Sequence, residues 1–271
     1  MKKITTVLVF ILLTLVFAGC LQVETTVKVN KDGSGTINEK VLFSKSFVSM
    51  IREFTLAFQD SGSTEDFSLY EEENIIADAK DYGDNVEYVS YNKISIENWE
   101  GYEAVYSFDD ITKVTITPDP DSKVDLEEEA VSNELHEEHY FFKFVKGDSP
   151  QLIIDRPDLE LNADIDENEE SEESEQSSDQ DGEEFIKLME GMKIEIMVEV
   201  EGEITNTNAT YVQGSKVTLF QMDFGEMMKN KEEFKKFKQH EPQNIEEMKG
   251  YLDKLPGIKI EVEKPVTINF K

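Results

Sequence analysis

The most reactive side chain in this sequence is a thiol, that of Cys20. It is the only cysteine among 271 residues, so no disulfide can form within the chain. Its thiolate form is a nucleophile. A lone cysteine in an exported protein is either left free or modified, so the residues around Cys20 decide how it is interpreted.

Residues 1–19 have the composition of a secretory signal peptide. Lys2 and Lys3 form a basic head, an apolar run extends from Ile4 to Val16, and small residues precede Cys20. The run is shorter than the roughly 20 residues that a membrane-spanning helix needs. We therefore predict that residues 1–19 are removed on export.

Ala18-Gly19-Cys20 resembles the lipobox of bacterial lipoproteins, although Phe17 stands where leucine is usual. The resemblance implies that Cys20 carries a diacylglyceryl group, becomes the first residue and acquires acyl chains such as palmitate. Two or more chains give a durable anchor, at about 0.8 kcal/mol per buried CH₂. Leu21 follows instead of aspartate, which by the same resemblance favours the outer membrane where the host has one. The alternative is an ordinary signal peptide.

Histidines and carboxylates could bind a metal ion. His136-Glu137-Glu138-His139, with Glu134 nearby, is the densest such cluster. Zinc proteases need two histidines four residues apart on one helix, whereas these are three apart and enter a predicted strand. A zinc site also usually needs three placed protein ligands. We interpret the cluster as a solvated loop end and predict no metal site.

A second candidate is a calcium loop. Asn30, Asp32, Gly33 and Glu39 occupy its third, fifth, sixth and twelfth places, but Lys28 occupies the first. Strands are predicted on both sides, where an EF-hand has helices. Asp-Gly between two alternating segments is typical of a β-hairpin, which is our prediction for this stretch.

Motifs of catalysis are absent from the sequence. Neither Gly-x-Ser-x-Gly nor His-Glu-x-x-His occurs, and the thiol is assigned to the lipid. Among 59 acidic residues a pair of carboxylates has no specificity, and glycosidases need a defined separation. We expect a protein that is not an enzyme, with no catalytic residue and no cofactor.

The acidic composition limits the partners. Loss of Lys2 and Lys3 with the signal peptide changes the formal net charge from −32 to −34. Such a charge repels nucleic acid and anionic lipid headgroups. It suits a folded body that is held beside a membrane by its lipid.

Around these residues, apolar periodicity predicts the elements that position them. Strands are predicted at 22–30, 36–43, 86–91, 94–96, 102–108, 111–117, 139–145, 151–155, 193–201, 204–212, 216–222 and 258–270. Helices are predicted at 45–59, 71–82, 184–192, 224–240 and 245–255. Glu100-Gly101 is predicted to be a turn, and Pro265 to interrupt the last strand.

The order of these elements predicts an α+β fold, with mainly antiparallel sheets built from hairpins and meanders and packed by several helices. Residues 158–184 contain 14 acidic side chains and no lysine or arginine, so we predict a disordered acidic insertion. The N-terminal part, 20–157, and the C-terminal part, 185–271, would then complete one composite sheet domain. Two subdomains are the alternative.

Two stretches carry a family resemblance. Cys20-Leu21 with the hairpin sequence 27–35 resembles a family of bacterial lipoproteins that begin with a lipobox and one β-hairpin. Residues 198–208 and 214–219 are similar to the sheet region of LppM-like lipoproteins, in which a strand, a glycine and an Asn-rich turn recur. The resemblance implies an envelope protein that handles amphiphiles, and it implies no site residue except Cys20.

Three functions remain open at this stage. The first is a membrane-anchored, non-enzymatic envelope lipoprotein that binds another envelope protein or helps to assemble the cell surface. The second is a carrier of lipid or another amphiphilic ligand, with Phe47, Ile51, Phe54 and Phe58 lining its pocket. The ordinary interpretation of such a stripe at helical spacing is core packing. The third, least favoured, is a hydrolase.

Overall fold

The computed structural model describes residues 21–58, 70–118, 139–157, 191–230, 232–233 and 245–271, without the side chains of 54–58 and 245–246. The predicted signal peptide, Cys20, His136 and the acidic stretch 158–184 lie outside these ranges.

Strands dominate the described residues. In chain order they are β1 (Leu21–Val29), β2 (Gly35–Ser44), β3 (Val86–Ile96), β4 (Trp99–Phe108), β5 (Thr115–Ile116), β6 (Tyr140–Val145), β7 (Gln151–Asp155), β8 (Lys193–Val200), β9 (Ile204–Thr207), β10 (Val212–Gln213), β11 (Lys216–Asp223), β12 (Ile258–Ile260) and β13 (Val266–Phe270). They form two sheets. Sheet A has the order β10-β11-β8-β1-β2-β4-β3, with β12 also paired to β11, and sheet B has the order β5-β6-β7-β13-β9.

Within the described ranges the helices are fewer than the strands. They are α1 (Lys45–Phe58), α2 (Glu72–Ala77) continued by a 3₁₀ turn (Asp78–Tyr82), a 3₁₀ turn (Ile111–Lys113), α3 (Phe224–Met227) continued by a 3₁₀ turn (Met228–Asn230), and α4 (Ile245–Leu252). No helix in the described part of the chain is both long enough and apolar enough to cross a membrane. The sheet-rich architecture with a few helices agrees broadly with the predicted α+β class.

The predicted hairpin at the start of the chain is confirmed. β1 and β2 pair antiparallel from Leu21 opposite Phe43 to Val29 opposite Gly35. The Asp32 carboxylate accepts hydrogen bonds from the amide and hydroxyl of Ser34, at 3.0 and 2.7 Å. These bonds lower the pKa of Asp32 and hold the turn closed.

Pairing among the described strands is mainly antiparallel, as predicted, but one parallel pair makes sheet A mixed. β1 lies between β2 and β8, and its pairing with β8 is parallel, with Val23 opposite Ile194. Strands from both sides of the 158–190 stretch therefore share this sheet. No local turn joins β1 to β8, so no hairpin geometry imposes an antiparallel arrangement on them.

The predicted turn at Glu100-Gly101 is wrong. Both residues lie within β4, and the turn from β3 falls at Glu97-Asn98. A Cβ atom on Gly101 would lie 2.0 Å from the carbonyl oxygen of Val41. The glycine therefore permits close approach of two strands and does not mark a turn.

Three predicted strands are also divided differently. The segment 204–212 gives β9 in sheet B and the start of β10 in sheet A. In the segment 111–117, Ile111–Lys113 forms a 3₁₀ turn. Asp110 caps this turn, because its carboxylate accepts a hydrogen bond of 3.0 Å from the Thr112 amide. Only Thr115–Ile116 pairs as a strand. In the segment 258–270, β12 pairs with β11 in sheet A, whereas β13 lies between β7 and β9 in sheet B.

One apolar core contains residues of both sheets. Val27, Ile37 and Tyr106 contribute from sheet A, and Ile154 and Phe270 from sheet B. The outer face of sheet A carries charges instead, including Glu24, which binds Lys193 at 2.8 Å and Lys40 at 3.4 Å. The alternation of apolar and polar residues along the strands produces this division.

Candidate functional site

A carboxylate lies at the centre of the inner face of sheet A. Glu39 is 0% exposed, although its neighbours on that face of β2, Ile37 and Val41, are apolar. It stands opposite Thr25 on β1 and Ala104 on β4. The strand alternation thus places an acidic side chain where the core normally has a hydrophobic one.

Three tyrosines surround this carboxylate. The Tyr82 hydroxyl donates a hydrogen bond of 2.6 Å to Glu39 Oε1. Tyr102 and Tyr106 lie on β4 on either side of Ala104 and are both buried. The rings of Tyr82 and Tyr106 are 5.2 Å apart. We call Glu39 with these three residues the Glu39 cluster.

The cover over the cluster is α2 with its 3₁₀ extension. Ile75, Ala79 and Tyr82 from this cover are buried, and the Ile75 carbonyl accepts the Tyr106 hydroxyl at 3.0 Å. The extension ends at Gly83, which has φ of +126°. A Cβ atom on Gly83 would lie 2.3 Å from the carbonyl oxygen of Lys113. Only glycine fits this close approach, and the turn fixes the position of Tyr82.

The environment keeps the tyrosines protonated. Burial raises the pKa of Tyr82 well above its ordinary value, and the neighbouring Glu39 raises it further. Burial and Glu39 also raise the pKa values of Tyr102 and Tyr106. A carboxylate disfavours a second negative charge nearby. The hydroxyls therefore act as hydrogen-bond donors, not as nucleophiles.

Each member of the Glu39 cluster is at most 5% exposed. A general acid or base must come within hydrogen-bond distance of its substrate. In the conformation described, the cluster has no surface on which a substrate could bind. Its chemistry is that of a polar network inside a core, which fixes the cover to the sheet.

Aromatic side chains extend from the cluster towards α1. Ring centroids are 5.4 Å apart between Tyr102 and Tyr70, 6.1 Å between Tyr70 and Phe43, and 6.3 Å between Phe43 and Phe47. Phe47 is only 4% exposed and belongs to the core, as predicted. The side chains of Phe54 and Phe58 lie outside the described set.

Of the cluster His136-Glu137-Glu138-His139, the structure describes only His139. His139 stacks edge-on against Phe141 at the start of β6, with ring centroids 6.1 Å apart. His136 and Glu134 lie outside the described residues. Within the described ranges, no group of three His, Cys, Asp or Glu side chains is placed to hold a metal ion.

Sequence reasoning missed the Glu39 cluster. It treated Glu39 only as the twelfth position of a calcium loop, and the structure places this residue in the core instead. The signal was available in the alternation of β2, because Ile37, Glu39, Val41 and Phe43 share one face. The tyrosines lie 43 to 67 residues further along the chain, so no local pattern connected them to Glu39.

No protein-family model matches this chain, and no curated protein sequence matches it. Among solved structures, it is similar to the NMR structure of the folded domain of LppM from Mycobacterium tuberculosis. The match has 9% sequence identity and a TM-score of 0.32, and it covers 94% of this chain and 91% of that chain. This similarity is too weak to assign a fold family or a function.

Proposed function

We propose that this chain is a bacterial envelope lipoprotein, anchored through lipid on Cys20, whose folded domain is a non-enzymatic binding or assembly module. The observation that carries the proposal is Ala18-Gly19-Cys20, placed after a basic head and a short apolar run in a chain with no other cysteine. We further propose that the anchor resides in the outer membrane where the host has one.

The position of the first strand supports this proposal. β1 begins at Leu21, directly after Cys20, and occupies a central place in sheet A between β8 and β2. The residue that follows Cys20 is therefore already part of a strand of the folded domain. The net charge of −34 after signal removal favours attachment by lipid over electrostatic binding to anionic headgroups.

In this proposal the buried Glu39 cluster has a structural role. Its carboxylate and hydroxyls bond to one another and to the backbone of the cover. The partner in the proposed role is another envelope protein or an amphiphilic ligand.

Replacement of Cys20 by serine tests the anchor. The Cys20→Ser protein should either remain as an uncut precursor or leave the membrane fraction, because serine lacks the thiol that takes the lipid. Thr5→Ser, within the same segment, is the matched control and should fractionate as the unaltered protein does. A processed Cys20→Ser protein that still pellets with membranes would contradict the proposal.

A carrier of amphiphilic ligands is the second candidate. The observation that favours it is the row of aromatic rings from Tyr102 to Phe47, which lies between sheet A and α1. Uptake of a fluorescent fatty acid by the purified protein measures this activity. Uptake that Phe47→Ala abolishes at unchanged stability would favour the carrier over the binding or assembly module.

A further inference from the structure

The end of sheet A from which the chain leads back to Cys20 carries two large apolar side chains on its outer face, the exposed Ile96 and the half-buried Trp99. Leu21, the first residue of β1, stands opposite Phe43. One residue further out, Ser44 of β2 stands opposite Trp99 of β4, which in turn stands opposite Ile96 of β3. We call these three residues, Ser44, Trp99 and Ile96, the anchor-end row.

The row lies level with the expected attachment point. Consecutive Cα atoms are about 3.8 Å apart, so the Cα atom of Cys20 is one such step from Leu21. The row extends about 3.3 Å beyond Leu21 along the strands. Strands in a sheet are about 4.8 Å apart, which puts Trp99 roughly 10 Å and Ile96 roughly 14 Å to the side of β1. A lipid on Cys20 would hold these side chains at the bilayer surface.

The side chains of the row suit a membrane interface. Ile96 is 51% exposed and Trp99 is half-buried. Both lie on the outer face of sheet A, opposite the core face that carries Phe43. Tryptophan is enriched at membrane–water interfaces, and exposed apolar side chains bind there by burying their surface in the headgroup region.

Charge does not oppose contact at this end. Lys45 follows Ser44 in the chain, and its ammonium donates to the Glu97 carbonyl at 2.9 Å, while Glu100 follows Trp99. Charges of both signs thus lie next to the row, although the protein without residues 1–19 has a net charge of −34. The expected lipid is therefore zwitterionic, and the contact is apolar.

We propose that the anchor-end row is a membrane-contact surface that orients the folded domain on the bilayer. This inference rests on the proposed function, because the lipid on Cys20 brings the row to the membrane. The lipid supplies attachment, and Trp99 with Ile96 supplies a second contact that restricts rotation about a single tether.

The chain offers an internal probe, because Trp99 is its only tryptophan. The protein purified from membranes is placed in phosphatidylcholine vesicles whose acyl chains carry bromine, which quenches tryptophan fluorescence at short range. We expect a loss of Trp99 fluorescence relative to unbrominated vesicles, and protection of Trp99 from iodide in the water. The mass of the Cys20 peptide is measured in the same preparation.

Two variants on one strand make the control. Ile96→Ser should reduce the quenching by brominated lipid. Val89→Ser should not, although Val89 is 54% exposed on the same strand, because it lies roughly 23 Å from Ile96 along β3. A melting curve for each variant verifies that it is folded.

The outcomes separate the two proposals. Lipidated protein whose Trp99 is unquenched by bromine and open to iodide would overturn the membrane-contact surface alone. Equal quenching in Ile96→Ser and Val89→Ser would overturn it as well, because Trp99 would reach lipid without the row. An unlipidated Cys20 would overturn both this inference and the proposed function.

Discussion

Removal of one hydroxyl group tests the role of the Glu39 cluster in stability. Tyr82→Phe keeps the ring that packs 5.2 Å from Tyr106 but deletes the donor 2.6 Å from Glu39 Oε1. Glu39 is 0% exposed, so water does not replace the lost donor. Loss of the donor to a buried acceptor costs about 1–3 kcal/mol. We therefore expect Tyr82→Phe to lower the free energy of unfolding by about 2 kcal/mol.

Urea denaturation measures this loss. The midpoint should fall at an unchanged slope, because the surface exposed on unfolding is nearly the same in both proteins. Tyr88→Phe is the matched control. Its hydroxyl bonds to Glu72 at 3.3 Å on the surface, so its removal should leave the midpoint unchanged.

A double-mutant cycle assigns the effect to the bond. In a Glu39→Leu background the Tyr82 hydroxyl has lost its carboxylate partner, and Tyr82→Phe should cost much less than in the unaltered protein. An equal cost in both backgrounds would refute the assignment of this energy to the Tyr82–Glu39 pair.

Three further predictions concern the core and the charges. Phe47→Ala should lower the free energy of unfolding, measured by calorimetry, by about 3–5 kcal/mol, because it leaves a cavity in the core. Phe141→Ala is the control and should change that free energy by less than about 0.5 kcal/mol, because the Phe141 side chain is 53% exposed. Above about pH 10, Tyr82, Tyr102 and Tyr106 lose their hydroxyl protons in the unfolded chain. In the folded protein their raised pKa values keep them protonated. Stability should therefore fall as the pH rises past 10, and Tyr82→Phe should leave the tyrosinate absorbance of the folded protein at high pH unchanged; a lower absorbance in the folded variant would contradict this. Partial burial acts to raise the pKa of Glu24, but Lys193 and Lys40 outweigh it, and the pKa is lowered overall. The carboxylate therefore stabilises the fold above about pH 4.5, and this stabilisation is lost as the pH falls further. Glu24→Gln should reduce the dependence of the melting temperature on pH in the acid range.

Local sequence patterns were sufficient for the first hairpin. Asp32-Gly33 supplies the turn, and the alternation on both sides sets the register from Leu21 to Phe43. Both signals lie within about twenty residues. The meander predicted over 193–222 was wrong, because β9 pairs with β13 in sheet B, whereas β8, β10 and β11 lie in sheet A.

Long-range features were beyond such patterns. The parallel pairing of β1 with β8 joins residues about 170 apart, and nothing in either strand specifies its neighbour. The division of 258–270 between two sheets was missed for the same reason. At Gly101 a glycine needed for close strand approach has the same sequence appearance as one in a turn.

The candidate functional residues also divide into those that a local pattern predicts and those that only the fold brings together. Cys20 was predicted from contiguous residues, and it stays a prediction because it lies outside the described structure. The Glu39 cluster needs two strands and a helical cover to meet, so its geometry became apparent only in the fold.

The mass of the N-terminal peptide tests the central claim most directly. Protein extracted from membranes is digested, and the peptide that contains Cys20 is identified by mass spectrometry. A lipoprotein should give a peptide that begins at Cys20, lacks residues 1–19 and carries the added mass of a diacylglyceryl group. A peptide that runs through Gly19 into Leu21, or one that begins at Cys20 with a free thiol, would contradict the account.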